Sequence, residues 1–287
     1  MKSFVQIRTG ESSSVSADEK ERLLFAKLAE RTSLLVALSG GTDSAYLAWA
    51  AHQVLGDRAL SVTAISPSYS SYDREQLELF LRDTGIRHEF VKTNEMDNPA
   101  YRANNADRCY FCKDELFSVL ERIVADRQIE ATAYGVNADD IFDFRPGHRA
   151  ASEHKVLTPL LDAQIHKSEI RFLSERAKLP SWDRPASACL SSRLPYGTEV
   201  TPDRLSLVEQ GERALRDLGF RQFRVRLHDK LARIEIAPEE LPRALSAEMA
   251  AAIAKSLKAV GFAYVSLDLE GYRQGSLNET LSKSVGT

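Results

Sequence analysis

Three stretches of this 287-residue chain carry side chains whose types and spacing could do chemistry. The first is ALSGGTDSA, residues 37–45. Gly40 and Gly41 allow a tight turn whose backbone N–H groups face an anion. Ser39, Thr42 and Ser44 add hydroxyl donors, and a helix that follows would present its positive end. A Walker loop needs a lysine within the motif, and none is present here. Asp43 reads as a helix cap unless the loop holds a nucleotide.

The second stretch is DRCYFCK (107–113), which sets Cys109 and Cys112 at CxxC spacing. Two thiols so spaced at a helix start can share a metal or redox centre, or simply pack as small core residues. The third is WDRPASACLSSRLPYG (182–197). Its prolines argue for an ordered loop. Cys189 lies there among Ala186, Ser187, Ala188, Ser191 and Ser192, with Arg184 and Arg193 close in sequence. Nearby positive charge lowers a thiol pKa and makes a nucleophile; a packed, inert thiol is the plainer alternative.

Two further stretches are candidate binders. GVNADDIFDFRPG (135–147) supplies Asp140, Asp143 and Arg145 for a metal ion or substrate, or forms a solvated acidic loop. In FRVRLH (223–228), period two puts Arg224 and Arg226 on one face. That face is either the wet side of an antiparallel strand or a pair of guanidinium groups suited to a phosphate.

The elements that must position these residues follow from periodicity. The sequence predicts helices over 16–31, 44–55, 72–85, 112–127 and 166–178, alternating with strands at 33–39, 60–66, 88–94, 131–136 and 155–160. That alternation predicts a doubly wound parallel α/β sheet, with 135–147 beside the crevice at the strand ends. From about residue 200 the pattern changes to helix 202–218, a strand pair 220–229 and 230–236, helix 246–260 and strand 263–269. The expected organisation is therefore an α/β domain over 1–200 and a small α+β domain over 201–287.

Composition narrows the function classes. Lys plus Arg is 38 and Asp plus Glu is 41, a net charge of −3, which disfavours a nucleic-acid coat. Apolar runs reach only about five residues, far below the roughly 20 of a membrane span. The first 22 residues have no apolar core of the secretory kind. A cytoplasmic protein is expected. Its three cysteines, an odd number in a large chain, do not suggest a disulfide framework.

Ser-Gly-Gly-x-Asp-Ser resembles the PP-loop of ATP pyrophosphatases, which cradles pyrophosphate; Asp43 would then hold Mg²⁺ or orient the loop. With DRCYFCK, GVNADDIFDFRPG, WDRPASACLSSRLPYG and GYRQGSLNE (271–279) added, the chain resembles the LarE family of ATP-dependent sulfur transferases from about residue 16 to 280. The resemblance implies work on a pyridinium-3,5-biscarboxylic acid mononucleotide in the synthesis of the nickel-pincer cofactor of lactate racemase and related enzymes. ATP adenylates a carboxylate, and sulfur then displaces AMP to leave a thiocarboxylate. It also implies two routes for the sulfur. In one, the residue matching Cys189 is sacrificed and becomes dehydroalanine. In the other, Cys109, Cys112 and Cys189 hold a [4Fe–4S] cluster that carries an extra sulfide. Phosphate-binding arginines of the family fall at Arg224 and Arg226, with Arg193 a further substrate contact. Glu212 and Glu235 align with acidic metal-contacting residues, and a homo-oligomer is expected.

The alternatives are a tRNA-thiolating PP-loop enzyme, an amide-forming synthetase like those for NAD or GMP, and a non-catalytic ATP- or metal-binding protein. The first would want a broad basic surface, the second would not need Cys189, and the third would release no pyrophosphate.

Overall fold

A computed structural model describes residues 16–142, 146–185, 187–273 and 275–278. The chain enters through α1 (Ala17–Ala29), whose start is set by a reciprocal cap between Ser16 and Glu19. Then come β1 (Leu34–Ala37), α2 (Thr42–Leu55), β2 (Ala59–Ile65), α3 (Ser71–Thr84) and β3 (His88–Lys92). α3 opens on the Ser70 hydroxyl and ends at Gly85 in the left-handed region. α4 (Arg108–Arg127), β4 (Ala131–Tyr134), α5 (Pro146–Glu153) and α6 (Lys167–Arg176) follow.

β1 to β4 form one parallel sheet in the order β3-β2-β1-β4. The sequence Leu-Leu-Val-Ala of β1 is buried on both faces, as a central strand between helix layers requires. One layer packs α1, α2 and α6 against the sheet through Leu24, Tyr46, Leu47 and Ile170. The other packs α4 and α5 through Phe117, Leu120 and Ala150. α2 is rich in Ala and carries one acidic side chain, Asp43, so it can be enclosed on nearly all sides.

The doubly wound α/β class expected from the sequence is therefore the observed one. The segment 155–160, expected as a fifth strand, is not one. Only Leu157 makes a parallel bridge, to Ala133, and Pro159 then opens a helical turn. A proline has no N–H to extend a ladder, and its fixed φ suits a helix start. α4 begins four residues earlier than expected, so Cys109 and Cys112 both lie in its first turns.

The second sheet contains β5 (Phe223–His228), β6 (Leu231–Ile236) and β7 (Tyr264–Leu267) in that order. β5 and β6 pair antiparallel across the Asp229–Lys230 turn, and β6 pairs parallel with β7. α7 (Pro202–Asp217) and α8 (Ala247–Val260) cover one face. This core also takes in Tyr101, Leu190 and Leu194, so the segment around Cys189 is anchored in it.

One glycine fixes how β4 leaves the sheet. A Cβ at Gly135 would lie 2.7 Å from the Ser44 nitrogen and 2.8 Å from its Cα. The strand therefore crosses the first turn of α2 at a distance only hydrogen allows. Gly135→Ala should lower stability by about 1 to 3 kcal/mol, the usual cost of overpacking. Urea unfolding of the two proteins measures it, and equal midpoints would show that α2 shifts freely.

Candidate functional site

The phosphate-loop candidates run from the turn after β1 into the first turn of α2, at the edge where the order β3-β2-β1-β4 reverses. Ligands of open α/β sheets bind at such a switch point. Gly40 has φ +82°, in the region that favours glycine. The Ser39 and Ser44 hydroxyls lie 3.0 Å apart, and Ser44 also bonds the Gly41 carbonyl at 3.0 Å. Gly41 is the helix cap and has no side chain to satisfy the first N–H groups of α2. The helix start therefore keeps donors and a positive dipole end directed at the crevice.

Asp43 stands inside the first turn of α2 and is not its cap. It accepts from Lys167 Nζ at 2.6 Å and from Asn137 Nδ2 at 3.3 Å. Burial raises its pKa, and Lys167 opposes that shift. Asp140, buried at the start of the segment after β4, feels the same cleft: its charge adds to the upward shift of Asp43. Its carboxylate accepts from the Asn137 backbone N–H at 3.1 Å. Asp143 and Arg145 lie outside the described residues.

The three cysteines gather on one face. Cys109 and Cys189 are exposed, whereas Cys112 is half-buried against the second core. Burial pushes the Cys112 thiol pKa up, and Glu95, Cys189 and Cys109 add to it. Arg108 is the cation among them, 3% exposed, with Nη2 4.0 Å from Cys109 Sγ. Burial alone would lower its pKa; Cys189 and Cys109 reverse the shift and raise it. Arg108 also donates to the Ser191 carbonyl at 2.8 Å, and the Tyr101 hydroxyl meets Ser191 Oγ at 2.7 Å. α4 is thus stapled to the Cys189 loop two residues beyond the thiol. Three thiols are soft donors of the kind that suits iron. As placed, no group of three His, Cys, Asp or Glu side chains among the described residues converges to hold a metal ion.

The arginines from the sequence form a buried layer under this loop. Arg193 meets the Cys189 backbone, and the thiol's charge adds to the upward shift of the guanidinium pKa. It donates to the Cys189 carbonyl at 3.0 Å and pairs with Glu212 through Nε at 2.7 Å and Nη2 at 3.1 Å. Arg226 pairs with Glu235 at 2.8 and 3.0 Å and donates to the Ser192 carbonyl at 2.7 Å. Arg224 lies over the Tyr272 ring at 5.0 Å. Burial, and then the Arg193 guanidinium, pull its pKa down to about 10. Neither face of β5 is wet, because the loop bearing Cys189 covers the arginine side. Glu212 and Glu235 serve as ion-pair partners of these arginines.

Sequence reasoning missed Lys167, Arg108, Tyr101 and Asp73. Lys167 and Arg108 carried a signal: each is a cation in the first turn of its helix, where the dipole opposes positive charge. Such a placement asks for an anion in front of the helix.

Comparison with known proteins bears on what this arrangement serves. No family model matches the chain. An uncharacterized protein of Synechocystis is 45% identical over 249 residues, 87% of this chain and 93% of the relative. A pyridinium-3,5-bisthiocarboxylic acid mononucleotide synthase of Lactiplantibacillus plantarum is 33% identical over 269 residues, 92% of this chain and 96% of that protein. One component of the glutamine-hydrolyzing GMP synthase of Methanocaldococcus jannaschii is 23% identical over 172 residues, 57% of this chain and 55% of the relative.

Glu212 tests the buried layer. Burial favours its neutral form, but Arg193 outweighs that and holds the carboxyl below its usual range. A lowered folded pKa stabilises the protein above the ordinary carboxylate range, and that stability is lost as pH falls. Glu212→Gln should cost about 3 to 5 kcal/mol at pH 7, because it leaves a guanidinium buried without its carboxylate. The deficit relative to the parent should shrink below about pH 4. Urea melts at both pH values measure it; a deficit independent of pH would assign the loss to packing.

Proposed function

The chain belongs to the pyridinium-3,5-bisthiocarboxylic acid mononucleotide synthase (LarE) family, and from that premise we propose that it makes thiocarboxylates from a pyridinium-3,5-biscarboxylic acid mononucleotide for a nickel-pincer cofactor. The observation that carries this reading is the direct bonding of the thiol-bearing loop to the phosphate loop. Thr42 Oγ1 donates to the Ser181 carbonyl at 2.9 Å, and Arg184 donates to the Gly40 carbonyl at 2.6 Å. In this reading an activated carboxylate held at one loop meets the thiol carried by the other.

A carboxylate at neutral pH lacks a leaving group. In this reading its oxygen attacks the α-phosphate of ATP, and pyrophosphate leaves into the cradle of Ser39, Gly40, Gly41, Thr42 and Ser44. Asp43 and Asp140 would hold the Mg²⁺, which screens the phosphate charge. Lys167, now on Asp43, is a cation placed to follow that charge. The Cys189 thiolate attacks the acyl carbon, and AMP leaves with the bonding pair. Loss of the Cys189 α-proton then drives the electron pair into a Cα=Cβ bond as the Cβ–S bond breaks. The products are a thiocarboxylate and dehydroalanine.

Arg224, with Arg226 and Arg193 beside it, is the proposed anchor for the substrate phosphate. An anion there relieves the mutual repulsion that lowers the Arg224 pKa. Homo-oligomers and a cytoplasmic setting belong to the same reading. Among the described residues, no helix is long and apolar enough to cross a membrane.

The CxxC pair, for which the sacrificial route has no use, supports a second sulfur source, although the three thiols as placed do not converge. Cys109, Cys112 and Cys189 would hold a [4Fe–4S] cluster, which when bound supplies a transferable sulfide from an iron without a protein ligand.

Pyrophosphate release that requires both ATP and the biscarboxylate nucleotide is the expected result; release without that substrate, or with ammonia as acceptor, sinks the reading. For the sulfur source, whole-protein mass after one turnover decides. Loss of H₂S from Cys189, with Cys109→Ser and Cys112→Ser still active, marks the sacrificial route. Full activity only after anaerobic loading with iron and sulfide marks the cluster. Arg224→Ala should raise the substrate KM roughly 10- to 100-fold, the worth of a charged hydrogen bond, and leave the KM for ATP within about twofold. Equal rises in both constants would make Arg224 a folding residue.

A further inference from the structure

The phosphate loop and the thiol-bearing loop share one side chain that neither chemical step consumes. We propose that Arg184 is a positioning residue that couples phosphate occupancy of the Ser39–Ser44 loop to the presentation of Cys189. This rests on the proposed function for the chemistry but not for the geometry.

Arg184 spends its two terminal nitrogens on different elements. Nη1 donates to the Gly40 carbonyl at 2.6 Å, and Nη2 donates to Asp73 on α3. Both side chains of that ion pair are nearly dry, 11% and 12% exposed. The second Asp73 oxygen accepts from Ser70 Oγ at 2.7 Å and from Ser187 Oγ at 3.1 Å. Ser187 stands two residues before Cys189. Just after the thiol, the Leu190 N–H donates to the Ser68 carbonyl at 2.9 Å. Cys189 is exposed, so packing does not place its thiol. Its position is set by tethers on both sides, from Ser187 to Asp73 on α3 and from the Leu190 backbone to the segment between β2 and α3.

The bond to Gly40 has a second consequence. A trans peptide is planar, so its C=O and the following N–H point in opposite directions. By holding the Gly40 carbonyl, Arg184 fixes the plane of the Gly40–Gly41 peptide and hence the direction of the Gly41 N–H in the anion cradle. Nη1 would lie 3.3 Å from a Cβ at Gly40, so no side chain intervenes. An anion that turns this peptide must move the carbonyl, and the carbonyl is bonded to the guanidinium. Asp73 passes any such shift to Ser187. Only a planar fork can serve both acceptors at once; a lysine ammonium is a point donor without that geometry.

Two readouts test this, and neither responds to a general loss of folding. The first uses inorganic pyrophosphate with Mg²⁺ on the whole protein. Alkylation of Cys189 by iodoacetamide, followed by peptide mass, should change at least about threefold when pyrophosphate binds. In Arg184→Lys that response should vanish while calorimetry still shows binding. Binding without any response in the parent overturns the coupling alone. No binding at all overturns the reading of the phosphate loop, and the coupling with it. A response retained in Arg184→Lys also overturns the proposal.

The second readout is stoichiometry under turnover. The parent should release one pyrophosphate per thiocarboxylate formed. In Arg184→Lys a misplaced thiol loses to water, and transfer should fall roughly 100-fold, as expected for about 1 Å of misalignment. Pyrophosphate should then exceed thiocarboxylate. Ser187→Ala, which spares the Gly40 contact, should raise the ratio in the same direction by less. An unchanged ratio in both variants, even at reduced rate, would reduce Arg184 to a structural residue.

Discussion

A guanidinium taken out of water must find acceptors for five N–H groups, and the arginines around one loop of this chain find them on backbone carbonyls and carboxylates. Arg184 takes Gly40 O, Arg193 takes Cys189 O, Arg226 takes Ser192 O and Arg108 takes Ser191 O. The loop from Ser181 to Arg193 is rich in small and polar residues and could not be held by packing alone. Directional, charge-assisted bonds take over that task. Because the donors come from α4, β5 and the loop itself, the phosphate loop, the CxxC helix and the second sheet are all registered to Cys189.

The carboxylates follow from the same constraint. A buried cation without a counter-charge is costly, so Asp73, Glu212 and Glu235 are buried with Arg184, Arg193 and Arg226. This explains why the net charge stays near neutral although the site is lined with arginine. Positive charge that ends on carboxylates attracts no polyanion from a distance. Among these arginines, burial and the neighbouring Arg193 guanidinium pull the Arg224 pKa down.

Much of this was legible in the sequence, for reasons that can be named. The α/β sheet was readable because β1 and β2 are short apolar runs and the helices carry local caps such as Ser16–Glu19 and Ser70. The phosphate loop was readable because its requirements are local: positive φ at Gly40 and a helix start within two residues. The segment 155–160 misled because the apolar content of a single bridge at Leu157 equals that of a strand, and only Pro159 tells them apart. Arg224 and Arg226 kept two readings, a wet strand face or a phosphate-binding pair, because period two states which side a residue takes, not what covers that side. The cover is the loop of Cys189, brought from more than 30 residues away in the chain. Asp73 escaped notice for a related reason. An acidic residue in the first turn of a helix needs no explanation, so its long-range partner left no trace in the local pattern.

Lys167 and Arg108 show where such traces do survive. Each cation opposes the dipole of its own helix and lies at the open edge of the first sheet, where it is held by acceptors from other segments: Asp43 for Lys167, and Ser191 with the thiols for Arg108. The cost within the helix is offset only in the folded chain, which is why a helical pattern alone makes them look misplaced. Their partners, Asp43 and the cysteines, are residues the sequence singled out for nucleotide and sulfur chemistry. The charges of Cys189 and Cys109 raise the Arg108 pKa despite its burial, and Lys167 opposes the upward push of burial on Asp43 without cancelling it. Both cations are held by bonds of the folded chain, and charge fixed in this way can act on a bound ligand without reorganising.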